Sequence, residues 1–494
     1  MAGNAATVLS GVKLRKTIST TLEQTFIAGL DYDSRRVGQG FLFFAFPGAK
    51  SDGRGFAQAA LDKGAVAIVS ESKAPADFTG VWLEVEHGRQ ALALSARNFY
   101  GRVDDRITLT AITGTNGKTT TAFLVDSILR AAGKTTALIG TIEYRLAGRV
   151  LPAINTTPES LDIYRLLDQL VQAGGTHATM EVSSHALALG RVHGMRFHTA
   201  VFTNLTRDHL DCPGNMEDYF AAKSVLFRPL EGPPPQWAVI NHDDAYGRLL
   251  PVAPETNAIT YGLEEGARLQ ACDVESGFDG VRFTLSFDGQ RARISSPMLG
   301  RINVYNILAA CGVALSCGVS LETIAQGIAG CAAVPGRFER IEEGQPFLVV
   351  VDYAHTDDAL RNTIAVARGL SPQRVITLFG CGGDRDRSKR PLMAMAAAEG
   401  SDFVILTSDN PRSEDPLDIM NDALVGLRRY DVAHAIEPDR KQAIHLALKE
   451  ARAGDIVILA GKGHETYQIF KDETVHFDDR EVAREFLRTK CSFA

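Results

Sequence analysis

The sequence is poor in cysteine: its seven cysteines form an odd set with no CxxC pair. That excludes a disulfide framework and a zinc cluster alike, and the thiols are read as reduced, mostly in the core. Long apolar runs are missing too. The strongest, Phe41 to Phe46, is far too short to span a bilayer, and the opening MAGNAATVLSGVKLRKTIST has no apolar signal core, so a soluble cytoplasmic protein is expected. Nor is there an excess of positive charge. A net charge of −7 without long like-charge blocks gives no basic field for a nucleic-acid backbone, and nucleic acid is not expected as a partner. Repeats and low-complexity tracts are absent, and GPPPQ at 232 to 236 reads as a rigid loop.

What is present is ordinary globular composition, 45% apolar and 22% charged, as in a packed enzyme. At 494 residues one hydrophobic core does not organise the whole chain, and three domains are expected. Residues 1–105 mix short β-like runs (GFLFFAF, AVAIVSE, VWLEVE) with a helical stretch near Gly55 to Lys63 and predict a small α/β domain. From Ile107 the pattern turns to apolar strand, glycine turn and helix, and strand candidates recur at HATMEVSS, TAVFTNL and QWAVINH. Residues 106–335 are therefore expected to form a doubly wound, mostly parallel sheet. After Val334-Pro335-Gly336 a second series begins (FLVVVDYAH, RVITLFGCGG, DFVILTSDN, DIVILAGKGHE), predicting a Rossmann-like α/β domain over 336–494. Its strands end in Gly, Asp, Asn or His, and open α/β sheets bind ligands beyond those ends.

Between an apolar strand and an amphipathic helix stands Thr113-Gly114-Thr115-Asn116-Gly117-Lys118-Thr119-Thr120. Glycines let backbone N–H groups close around phosphate oxygens, Lys118 supplies a point charge, and the Thr119 hydroxyl can ligate magnesium. The loop departs from the usual Walker consensus, because Ile112 occupies the place of its first glycine. Glu181 ends the apolar strand HATMEV, and that strand-end position favours a metal role over a solvated surface glutamate.

The compact TGTNGKTT form resembles the signature of the Mur ligase family, which also contains folylpolyglutamate synthases. MEVSSH (180–185), FTNLTRDHLD (202–211), YFAAKSVLF (219–227), INHDD (240–244), GRINVYNILAA (300–310), PGRFERI (335–341) and VDYAHTDDAL (351–360) follow in the family's order. DYDSRRV (31–37), PGAKSDGRGF (47–56), GCGGDRDRSKRP, SDNPRSEDP and AGKGHETYQ extend the likeness to nearly the whole chain. The resemblance implies an ATP-dependent ligase of peptidoglycan synthesis that activates a carboxylate as an acyl phosphate, releasing ADP and phosphate. It points to UDP-N-acetylmuramoyl-L-alanyl-D-glutamate as acceptor and meso-diaminopimelate as incoming amino acid, with magnesium as cofactor. A folylpolyglutamate synthase gives no reason for DYDSRRV or for the Asp409-Asn410-Pro411-Arg412 loop. Lysine, or another diamino acid, remains the alternative substrate, and a monomer is expected.

The same resemblance assigns the remaining roles. His209 and Lys223 join Thr119 and Glu181 as metal-site residues, and Lys223 is expected to be carbamylated, which turns a cation into an acceptor. Asn303 and Asn306, three apart on a predicted helix, are placed at the adenine edge, with simple capping by Asn303 as the alternative. Arg337 is assigned to the phosphates and Asp352 to the ribose, against a salt bridge between domains. Ser34 with Ala49, Lys50 and Ser51 is assigned to the uridine end of the precursor. Asn155, Thr156, Thr157, Ser183 and Arg191 take its peptide and pyrophosphate portions. Leu189 stands where the family often carries glutamine. For the amino acid, a guanidinium at Arg412 can bind the second carboxylate of diaminopimelate through two charge-assisted bonds, and lysine lacks that group. Seen alone, Asp409-Asn410-Pro411-Arg412 is a plain turn. Arg385 is expected to support a carboxylate, and Gly461 and Glu465 to meet the ammonium and backbone.

Overall fold

The computed structural model describes residues 3–16, 18–48, 52–206 and 215–491. They divide into two compact units. One comprises Met1–Leu269 with Ala309–Ile324, the other Gln270–Leu308 with Ala325–Ala494.

The first unit contains a four-stranded, all-parallel sheet in sequence order: β1 (Gly29–Asp31), β2 (Phe41–Phe44), β3 (Ala65–Ser70) and β4 (Trp82–Glu84). The helix expected near Gly55 spans Ala57–Asp62. A larger sheet follows, built from β5 (Thr108–Thr113), β6 (Thr136–Ile139), β7 (His177–Glu181), β8 (Thr199–Phe202), β9 (Trp237–Asn241) and β10 (Asn257–Gly262). Their order is β6-β7-β5-β8-β9-β10, every pair parallel. An antiparallel hairpin of Glu143–Leu146 and Arg149–Pro152 extends the β6 edge. Leu109, Ala111, Ile112, Leu138, Met180 and Val201 are buried, which is why these strands read as continuous apolar runs: helices cover both faces of a parallel sheet. The register sets Glu181 opposite Ile112 and Phe202 opposite Thr113, so three strand ends converge on the turn that enters α1 (Lys118–Ala131). Further along, α2 (Met216–Ser224) carries Lys223.

In the second unit a parallel sheet is ordered β11-β15-β12-β13-β14, from β11 (Leu348–Asp352), β12 (Val375–Cys381), β13 (Phe403–Ser408), β14 (Ala433–Glu437) and β15 (Ile456–Ala460). Helices α3 (Asp357–Arg368), α4 (Lys389–Gly400) and α5 (Pro416–Leu427) bury Leu360, Met393 and Ile419 on one face. On the other, α6 (Arg440–Glu450) and α7 (Asp479–Cys491) bury Ile444 and Val482. The strand order reverses where β15 inserts between β11 and β12, the switch point at which such sheets bind ligands. The expected α/β class therefore holds, with doubly wound parallel sheets. Features outside the sequence reading include the exposed edge strand β14, the hairpin over 143–152, the antiparallel strand Glu339–Ile341 on the β11 edge, and an antiparallel pair of Gly280–Phe287 with Gln290–Ser296.

Candidate active site

In the first unit the loop after β5 wraps tightly. Gly114 has φ +144, and a Cβ there would overlap the Thr203 hydroxyl, so only glycine admits this approach. The Thr115 and Asn116 N–H groups donate to Asn204 O and Oδ1, both at 2.9 Å. Thr203 Oγ1 donates to Asn116 O at 2.6 Å, and Thr206 N to Thr115 Oγ1 at 3.1 Å. Thr203, Asn204 and Thr206 thus form the frame of the phosphate loop. Sequence reasoning assigned them no role, although the polar run directly after an apolar strand was the available signal. Lys118 Nζ folds back onto the carbonyls of Gly114 and Thr115, each at 2.8 Å. Lys223, buried on α2, donates to the same Gly114 carbonyl at 3.1 Å, and its ammonium lies 4.4 Å from the Tyr219 ring centroid.

Thr119 and Thr120 are buried in the first turn of α1. Thr119 Oγ1 donates to Glu181 Oε2 at 2.9 Å. Glu181, with no exposed surface, accepts also from Thr141 N at 2.8 Å and Thr141 Oγ1 at 3.0 Å. The precursor candidates gather at its other side. Thr156 Oγ1 lies 3.1 Å from Thr141 Oγ1, and Thr157 Oγ1 donates to the Glu181 carbonyl at 2.9 Å while accepting from Ser183 N at 3.1 Å. Arg191 donates to Thr157 O at 2.8 Å and to Glu159 at 3.1 Å. Glu159, which also pairs with Arg89 at 3.3 Å, was missed. The Asn155 carbonyl accepts from Tyr144 Oη at 2.7 Å. Ser34 stands in another turn, after β1, its carbonyl taking Lys63 Nζ at 3.0 Å. Ala49, Lys50, Ser51 and His209 lie outside the described residues.

The other candidates for ATP fall in the second unit. Asn303 Nδ2 donates to Leu299 O at 2.8 Å and Asn306 Nδ2 to Asn303 Oδ1 at 2.9 Å, both side chains buried. Asp352 accepts from Phe338 N, Ala354 N and Thr363 Oγ1 at 2.7, 3.0 and 3.0 Å. Enclosure raises its pKa, with Arg337 acting against that rise. The Arg337 guanidinium lies 5.3 Å from the Tyr353 ring, and its buried Nε has no hydrogen-bond partner among the described residues.

Beyond β13 and β15 the amino-acid candidates meet. Asn410 Nδ2 donates to Glu465 at 3.0 Å, while its Oδ1 accepts from Lys462 Nζ at 3.2 Å and Ile469 N at 3.0 Å. Lys462, fully buried, also pairs with Glu465 at 3.3 Å. It too was overlooked, although it sits between two glycines of the GKG run. Gly461 has φ +112 and lies against the Asp409 carboxylate, 2.6 Å from where a Cβ would stand. Gln468 fixes the Asp409 carbonyl at 2.6 Å. Arg412, after Pro411, holds Gly383 O at 2.7 Å and adopts φ +53, rare for a side chain of this kind. Arg385 is exposed and makes no hydrogen bond or ion pair among the described residues.

A glycine-framed phosphate loop next to a strand-end carboxylate, with a separate strand-end loop lined by Arg, Lys and Glu, defines a nucleotide-dependent enzyme of the Mur ligase family, and the chain belongs to that family. Residues 26–100 match the Mur ligase family catalytic domain, 112–314 the Mur ligase middle domain and 336–463 the Mur ligase glutamate ligase domain. Within the family it is similar to the UDP-N-acetylmuramoyl-L-alanyl-D-glutamate--2,6-diaminopimelate ligase of Solibacter usitatus, 67% identical over 98% of each chain. The ligase of the same name from Geobacillus thermodenitrificans is 46% identical over 94% of this chain and 95% of its own. A solved structure of a ligase of that name superimposes with a TM-score of 0.71 at 34% identity, covering 96% of this chain and 98% of the other.

Proposed function

We propose that this chain joins meso-diaminopimelate to the D-glutamate carboxylate of UDP-N-acetylmuramoyl-L-alanyl-D-glutamate with ATP, through an acyl phosphate, releasing ADP and phosphate. The 67% identity to a ligase of that name over 98% of both chains carries the reading. Residues 1–105 with the Thr156–Thr157–Ser183–Arg191 group would hold the precursor, 106–335 the ATP, and 336–494 the amino acid. An acyl phosphate needs like-charged oxygens brought together, and Lys118 at the phosphate loop supplies a cation for that purpose. Loop N–H groups from Gly114 to Thr120 receive the phosphates. Asn303 and Asn306 are assigned to adenine, and Arg337 and Asp352 to phosphate and ribose.

The oxygen donors Thr119 Oγ1 and Glu181 Oε2 suit magnesium, a hard cation that prefers such ligands. When bound, magnesium would neutralise phosphate charge. Lys223 as an ammonium has no lone pair to offer, so it fits that donor set only as the carbamate. His209 completes the assignment. Arg412, in the Asp409-Asn410-Pro411-Arg412 loop, is assigned to the far carboxylate of diaminopimelate with Arg385 in support, and Gly461 and Glu465 to its ammonium and backbone. No described helix is long and apolar enough to cross a membrane, and we place the reaction in the cytoplasm, carried out by a monomer.

Purified protein incubated with ATP, magnesium, the precursor and a panel of amino acids is expected to release phosphate only when both co-substrates are present. The product should gain the mass of one diaminopimelate residue. Preferential use of lysine overturns the substrate assignment, and phosphate release without precursor overturns the ligase.

A further inference from the structure

Arg440 and Asp479 form an ion pair in which both side chains are fully buried. They are the first residues of α6 and α7. The guanidinium donates from Nε and Nη2 to the two carboxylate oxygens at 2.8 and 2.7 Å. Its other contacts single it out. Nη1 donates to the Ser408 carbonyl at 3.2 Å, and Nη2 to the Ala460 carbonyl at 3.0 Å. Those are the last residues of β13 and β15, from which the chain runs directly into Asp409-Asn410 and Gly461-Lys462.

The two strands are not neighbours. β12 lies between them, and it pairs with β15 only as far as Leu378 and Leu459, whereas it stays with β13 to Cys381 and Ser408. Past Leu459 the ladder to β12 ends, and the guanidinium spans the split.

Stability alone is a poor reason for this arrangement. Desolvation of two buried charges offsets most of their attraction, and an apolar pair of similar volume serves a core as well or better. A cation at the first residue of a helix also meets the positive end of the helix dipole. What a guanidinium supplies, and an apolar pair does not, is a rigid planar fork of donors that fixes several acceptors at once.

We infer that Arg440, oriented by Asp479, is a positioning residue of the amino-acid site. It ties the carbonyls of Ser408 and Ala460 together so that Asn410, Lys462 and Glu465 meet in one network. The inference rests on reading the Arg412 loop as the amino-acid site.

The test uses full-length variants. Arg440→Met with Asp479→Leu removes both buried charges while keeping volume. Arg440→Lys keeps the charge opposite Asp479 but loses the fork. Arg412→Ala is the marker for the site itself. Both Arg440 variants are expected to fold and to raise the KM for diaminopimelate about tenfold through the lost carbonyl bonds. KM for the precursor, whose candidate residues belong to the other unit, should stay within about twofold. An unchanged diaminopimelate KM in a folded Arg440 variant, with Arg412→Ala impaired, overturns the inference and leaves the site standing. Equal losses against all three substrates, or failure of both Arg440 variants to fold, show a purely structural pair and overturn it as well. If Arg412→Ala leaves diaminopimelate kinetics untouched, the site assignment falls first.

Discussion

The phosphate loop and the Arg412 loop are held by opposite means. Around Gly114–Thr120 the frame is neutral: Thr203 and Asn204 bond the Asn116 main chain and Thr206 N bonds the Thr115 hydroxyl, with the charged Lys118, Lys223 and Glu181 set beside it. Around Asp409–Arg412 the frame is charge itself, with buried Lys462 on Glu465 and buried Arg440 on Asp479. A frame of neutral hydrogen bonds tolerates loss of a charged side chain without collapse, because each bond contributes only about 1 kcal/mol net. A charged frame does not, since an orphaned buried ion costs about 3–5 kcal/mol. Substitutions in the first loop should therefore damage chemistry and spare folding, and those in the second should begin to mix the two.

The sharpest test is Lys118→Ala. Its ammonium donates to the Gly114 and Thr115 carbonyls, both in its own loop, so thermal stability should hardly move while phosphate release falls about a thousandfold. Near-normal turnover would remove the ATP assignment.

Next in size, Lys223→Ala is expected to lose about a hundredfold in rate, as removal of a metal-site support does, with partial recovery on adding short carboxylic acids that fill the acceptor position. Intact mass of the wild type should exceed the sequence mass by one carbon dioxide. A fully active enzyme with unmodified lysine refutes this.

In the charged frame, Arg412→Ala should reduce kcat/KM for diaminopimelate about a hundredfold, the loss of a bidentate charge-assisted pair. Lysine, which has no second carboxylate, should be used as poorly as before. Equal slowing of both substrates would make the loop structural and erase the contrast.

The smallest effect concerns pH. Burial holds His177 in the first unit at about 4, with Lys134 and His198 adding to the fall, and burial holds His464 in the second at about 4, with Arg337 adding. Both stay neutral in the fold below the ordinary value of 6.5, whereas the unfolded chain takes up the proton there. Their stability is thus fully present above about pH 6.5 and is lost as pH falls toward 4. His177→Gln and His464→Gln should each flatten the fall in melting temperature between pH 7 and pH 5. An unchanged slope in either variant, followed by calorimetry, shows that other groups carry the acid lability.

Legibility in the sequence followed the same division. The α/β class and most strands of the two larger parallel sheets were readable because sheets buried on two faces leave unbroken apolar runs, although β6 and β10 were not picked out. β14 escaped because it is short and none of its side chains is buried, so AHAIE leaves no apolar run. The phosphate loop was readable because its parts are contiguous. In the second region Lys462 meets Asn410 across 52 residues and Arg440 meets Asp479 across 39, and no local pattern marks such a pair. Glu159 escaped for the same reason, since it faces Arg191 over 32 residues.

Arg412 carries one more consequence. A left-handed backbone at a residue with a Cβ costs about 1 kcal/mol, a penalty that glycine escapes and asparagine largely escapes. Selection for heat resistance alone should then drift this position toward glycine, producing a tougher protein that has lost its grip on the second carboxylate. A laboratory lineage evolved without demand for the amino acid would record that exchange at residue 412 before most others, because there the interests of folding and of substrate choice point in opposite directions.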